Sequence, residues 1–203
     1  AVLGDPERAV GFHTRASELD PANAEYPLHL ARAQIELGLI EDAKVNLTRA
    51  AVLDEGLGVV WGMLGELALR ENNLRMAAQH VTEARRLEPG VVAWRVLEAR
   101  ILKRQGEPER ALMLLAGLTG SDRNQPPVLR AMGECLGLLG RGSDALALYE
   151  LAIEAEPAEP EFRLEAALWA ERLGKTERAL EFAEQARMMG DERAKAVIER
   201  LGG

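Results

Sequence analysis

The sequence predicts an all-α solenoid of antiparallel helix pairs, and three observations carry that prediction. A 34-residue period runs through the chain, the composition favours helices over strands, and a helix stop recurs at one fixed place in every period.

The period is visible in three near copies: GDPERAV at residues 4 to 10, GEPERAL at 106 to 112 and GKTERAL at 174 to 180. Their glycines, Gly4, Gly106 and Gly174, lie 102 and 68 residues apart, which is three and two periods of 34. The alanine inside each copy recurs without a slip as Ala9, Ala43, Ala77, Ala111, Ala145 and Ala179. Self-similarity at this spacing marks stacked supersecondary units, each packing mainly on its neighbours. Leucine, alanine, glutamate and arginine dominate, aromatics make up only 4%, and runs of β-branched residues are missing. Such a composition suits helices.

The expected organisation is a single solenoid over residues 1 to 203. A half unit (1–23) precedes full units at 24–57, 58–91, 92–125, 126–159 and 160–193, and a capping helix covers 191–201. In each full unit the first helix runs for roughly 14 residues on its apolar pattern. It stops at Gly38, Asn72, Gly106, Gly140 or Gly174, residue types that most easily take the left-handed conformation closing a helix. A second helix starts almost at once. Pro108 and Pro6 suit the first helical position, and Glu107, Glu109, Asp5 and Glu7 suit the positive end of the dipole. Pro21, Pro89 and Pro157 then begin the link to the next unit.

Small side chains mark where helices cross closely. The repeated alanine faces Ala31, Gly65, Ala99, Gly133 and Ala167, where a larger residue would be overpacked. Seven residues further along the second helix, Ala16, Ala50, Ala84, Ala152 and Ala186 repeat the device, with a single exception at Leu118. The stretch from Gly117 to Pro127 lacks the usual end of a second helix, which predicts an early helix end and a more mobile junction there. At the C-terminus, Ala194, Val197, Ile198 and Leu201 share one face and Asp191 can cap the helix.

The stretch Trp61-Gly-Met-Leu64-Gly65, followed by Ala77, Val81, Ala84 and Pro89, resembles the tetratricopeptide repeat pattern, and the likeness covers essentially the whole chain. The resemblance implies a right-handed superhelical solenoid whose first helices line a concave groove where partners lie. It departs from the pattern at Gln34, Ala68, Leu102, Leu136 and Ala170, where the family's tyrosine never appears.

Charge and motifs narrow the function. The net charge of −8, from 33 acidic and 25 basic side chains, disfavours nucleic acid, whose ligands carry a basic footprint. No apolar run approaches the ~20 residues that span a bilayer. Cys135 is the only cysteine, so it forms no intramolecular disulfide and suits a buried hydrophobe. His13, His29 and His80 share no metal-ligand spacing, and no nucleophile and base stand in a catalytic order. The glycines are helix stops rather than a phosphate loop. Asn46-Leu47-Thr48 matches a glycosylation sequon, but Leu47 is a core position inside a helix. No catalytic residue, metal ligand or cofactor is expected.

On the groove expected from the resemblance, the candidate partner-binding residues are Arg32, Glu66, Arg70, Val96, Arg100, Lys103, Arg104, Arg130, Glu134, Leu168 and Arg172. Arg100, Lys103, Arg104 and Arg130 form a basic patch suited to the carboxylates of an acidic peptide or chain terminus. The alternative is that these cations pair with Glu66 and Glu134 across adjacent units as a solvated face. Leu28, Val59, Met63, Val96, Leu97, Leu164 and Leu168 add either an apolar groove or packing between consecutive first helices. None of the groove positions is an asparagine, so the clamp that related proteins use for chaperone C-termini is not expected.

The expected function is a non-enzymatic scaffold holding a protein or peptide partner. The second reading is the repeat segment of a larger enzyme or secretion protein. The helix carrying Ala9, Phe12 and Ala16 lacks the partner that would precede it, so the expectation is either a longer array or self-association through that face. The first residue is not methionine, and the compartment is left open, with the cytoplasm slightly favoured over the periplasm or secretion.

Overall fold

The structure, a computed structural model, describes residues 5 to 202, which fall into two compact units, Ala1–Ile101 and Leu102–Gly203. Among the described residues there is no strand. The α-helices are α1 (Pro6–Leu19), α2 (Glu25–Glu36), α3 (Ile40–Leu53), α4 (Gly58–Arg70), α5 (Leu74–Leu87) and α6 (Val92–Arg104), followed by α7 (Pro108–Ala116), α8 (Pro126–Leu138), α9 (Gly142–Ala155), α10 (Pro160–Arg172), α11 (Thr176–Met188) and α12 (Ala194–Gly202). First helices α4, α6, α8 and α10 begin 34 residues apart, and so do second helices α3, α5, α7, α9 and α11.

The turn inside each pair follows from one backbone position. Gly38, Asn72, Gly106, Gly140 and Gly174 all have positive φ, between 59° and 81°. After each, the next N–H reaches back across the closing turn: Asn73 to the carbonyl of Ala68 at 2.8 Å, and Lys175 to that of Ala170 at 2.9 Å. The last carbonyls of the helix are thereby satisfied, and the chain leaves at the angle that starts the second helix.

In the first unit the core runs through Leu28, Ala31, Ala43, Leu47, Ala50, Val60 and Leu67, and continues in Ala77, Val81, Leu97 and Ile101. A Cβ on Gly65 would come within 3.3 Å of the Leu97 side chain, so this first helix lies close to the next. On α1, Ala9 and Ala16 are half-buried and Phe12 is 62% exposed.

The second unit has the larger aromatic core. Tyr149, Phe162, Phe182 and the body of Trp169 pack with the small residues Ala145, Ala167, Ala179 and Ala183. A Cβ on Gly133 would sit 2.8 Å from the Tyr149 ring, and the Tyr149 hydroxyl donates to the Leu129 carbonyl at 3.3 Å. Helix α7 stops after nine residues. A short 3-10 turn, Gly120–Asp122, follows, and Leu118 folds back into the core, which is why it stands where alanine stands elsewhere. At the C-terminus, Ala194 and Val197 are buried while Ile198 and Leu201 pack against the same cluster. Asp191 receives the Arg193 backbone N–H at 3.1 Å and its guanidinium at 2.6 Å, forming the turn that leads into α12.

Candidate functional site

The first-helix positions expected to face a partner carry charge because the core makes no demand on them. Three of them meet in the first unit. Arg100 on α6 forks onto Glu66 on α4, with nitrogen to oxygen distances of 2.6 and 3.1 Å. Arg70, one turn along α4, brings its Nε to 3.5 Å from the same carboxylate. Glu66 is therefore held between two guanidiniums. Arg32 is exposed on α2 and, among the described residues, forms no ion pair, and Val96 is half-buried.

In the second unit Lys103 pairs with Glu134, and Arg130 pairs with Glu161, with Glu165 3.8 Å from its Nε. Burial pushes the Glu165 carboxyl up, and Arg130 and Arg172 oppose that shift. Burial likewise raises the Cys135 thiol, which fits its place as a small hydrophobe. Three of the four cations in the expected basic patch, Arg100, Lys103 and Arg130, thus already have a carboxylate. Among the described residues Arg104 and Arg172 make no ion pair.

The inner apolar positions are used for packing. Leu28, Leu97 and Leu164 are buried, and Val59, Met63 and Leu168 pack against the cores of their own units.

One cleft opens on this face of the second unit. It encloses about 590 Å³ and is lined by Lys103, Arg104, Glu134, Gly137, Leu138, Trp169 and Arg172. Trp169 forms its floor: the residue is 7% exposed and the tip of its ring meets Gly137, where a Cβ would overlap it. The Arg172 guanidinium sits 4.5 Å from the ring centroid, a distance suited to cation–π attraction. Leu138 is 63% exposed at the rim. Sequence reasoning places Leu138 at a groove position but does not pick out Gly137 or Trp169. The signal is a glycine followed 32 residues later by tryptophan, and it occurs twice, because the Trp94 ring lies on Gly62 in the first unit.

A second cleft, of about 370 Å³, lies in the first unit among Thr48, Val52, Glu55, Trp61, Leu64, Met76 and His80. The rings of Trp61 and His80 are 5.7 Å apart. Elsewhere His13 and His29, which the sequence leaves in different repeats, stack at 5.1 Å. Among the described residues no group of three or more potential ligands could hold a metal ion, and no helix is long and apolar enough to cross a membrane.

No protein-family model and no curated protein sequence matches the chain. Solved structures do. A tetratricopeptide repeat protein from Parabacteroides merdae superposes with a TM-score of 0.77 at 17% identity, over 98% of this chain and 79% of that one. YrrB, described as a tetratricopeptide repeat protein with an unusual peptide-binding site, gives 0.61 at 18% identity over 93% of this chain and 97% of its own. PilF of Pseudomonas aeruginosa gives 0.70 at 18% identity, over 90% and 83%. Helix pairs at a constant 34-residue spacing, closed by the same left-handed turn and matched along nearly their whole length, give this chain the fold of the tetratricopeptide repeat proteins, an all-α repeat solenoid.

Proposed function

We propose that the chain is a non-enzymatic protein-interaction scaffold that holds a peptide or a partner protein against the groove face of its first helices and so helps to assemble a complex. The observation that carries this reading is the open cleft at the ends of α6, α8 and α10. It combines an aromatic floor, an exposed leucine and two guanidiniums on positions that the core leaves free. Concave sites of mixed apolar and convergent polar lining are where ligands bind. YrrB, which has the same fold, is described as having a peptide-binding site, and that also supports the reading.

The test is selection of binders from a random-peptide display library, comparing the intact chain with the double variant Arg104→Glu, Arg172→Glu. Both side chains are exposed, so the variant keeps its helicity by circular dichroism. Peptides retained by the intact chain and lost by the variant are the expected result. Peptides retained equally by both, with no chemical-shift change on α8 or α10, would defeat the proposal.

A further inference from the structure

We infer that the Trp169 cleft receives one apolar side chain of an acidic peptide segment, whose flanking carboxylates are held by Arg104 and Arg172. This rests on the interaction-scaffold reading above and names the partner's chemistry.

The charge around the cleft selects the flanks. Of its lining groups, Lys103 and Glu134 neutralise one another, which leaves the two arginines as a local excess of positive charge in a chain of net charge −8. An arginine stacked on a tryptophan face keeps its in-plane N–H donors free at the ring's edge. Arg172, 4.5 Å above the Trp169 centroid, is held in that way. Among the described residues it makes no ion pair, so its donors remain available to a carboxylate from outside. Arg104 stands exposed on the same cleft. A basic or neutral segment would meet two positive charges without compensation, whereas a flank of aspartate or glutamate forms forked, charge-assisted hydrogen bonds.

The floor selects the anchor. Gly137 has no side chain, so the tip of the Trp169 ring takes the space a Cβ would fill, and the ring lines the cleft together with Leu138. Leu138 supplies an exposed apolar wall. A volume of about 590 Å³ takes a leucine or phenylalanine side chain with its adjoining backbone. A polar anchor there would lose its water without finding a hydrogen-bond partner on the ring or the leucine.

Three capped synthetic nonapeptides test the inference by fluorescence anisotropy. The first has one phenylalanine centred in a run of aspartate and glutamate, the second has serine at the centre, and the third keeps the phenylalanine but carries lysine flanks. The phenylalanine peptide is expected to bind about tenfold or more tightly than its serine twin, the difference a buried aromatic ring makes. The lysine peptide is expected not to bind at the same concentration. Leu138→Ser should weaken the phenylalanine peptide and leave the serine twin unchanged, while Arg104→Gln with Arg172→Gln should weaken both acidic peptides and flatten their salt dependence. Equal affinity for the phenylalanine and serine peptides would overturn the apolar anchor, and binding of the lysine peptide would overturn the acidic flanks. In either case library-selected peptides that map to α8 and α10 would leave the scaffold reading standing. Failure of every selected peptide to touch that face would remove both.

Discussion

The tip of the Trp169 indole ring meets Gly137, in the space that any other residue at position 137 would fill. The close approach of α8 and α10 and the floor of the cleft both rest on that pair. Gly137→Ala must lift the ring or part the helices, and overpacking of this kind costs about 1–3 kcal/mol. Urea unfolding measures that loss. Tryptophan emission should shift to the red as the ring gains water, whereas Gly90→Ala, at a site with nothing within 4 Å, should leave the emission unchanged.

The left-handed turns make a second prediction with no packing in it. Gly174 has φ 71°, and a Cβ there would meet nothing within 4 Å. Gly174→Ala should therefore cost only the conformational penalty, about 1–2 kcal/mol. Asn72, the one non-glycine residue in this set, has φ 59°. Asn72→Ala should lose less than Gly174→Ala, because the wild-type asparagine already bears part of that strain. Chemical denaturation of the two variants side by side provides the comparison.

These turns were legible because they depend on a single residue and its neighbours in sequence. The same holds for Ala43, Ala77, Ala111, Ala145 and Ala179, which are all fully buried, since each marks a crossing internal to its own helix pair. The cleft was not legible, because it depends on which residue of the next first helix lies opposite. The structure gives that register: Gly62 meets Trp94, Gly65 meets Leu97 and Gly137 meets Trp169, each 32 residues on. The ion pairs follow it closely, with Glu66 to Arg100 at 34 residues and Lys103 to Glu134 at 31. A charge list without the register overstates the basic patch, because it cannot tell that Arg100, Lys103 and Arg130 have partners while Arg104 and Arg172 face the cleft.

The pairing of Arg100 with Glu66 is open to a double-mutant cycle. Arg100→Glu places two carboxylates together, with only Arg70 left beside Glu66, and should destabilise the chain. Adding Glu66→Arg restores opposite charges and should recover most of the loss. Both side chains are partly exposed, so the coupling should be about 0.2–1 kcal/mol and should shrink in high salt. A coupling of zero at low salt would mean that the two groups do not interact in solution.

The histidines give the last prediction, through the dependence of stability on pH. Burial lowers the pKa of His13, with the like charge of His29 adding to the effect, and burial alone lowers that of His80 beside Trp61. A lowered value means that the folded chain binds protons less readily than the unfolded chain, whose histidines titrate near 6.5. Above that pH both states hold neutral imidazole and the full stability is present. As the pH falls below it, the unfolded state takes up protons that the folded state refuses, so stability declines until the folded values are passed. The melting temperature should therefore drop between pH 7.5 and pH 5.5. His13→Gln with His80→Gln should flatten that drop even if it lowers the melting temperature at pH 7.5. Differential scanning calorimetry of the two proteins at both pH values measures the difference. Parallel pH profiles would show that the decline comes from other groups and that α1 and α5 hold their histidines no differently from water.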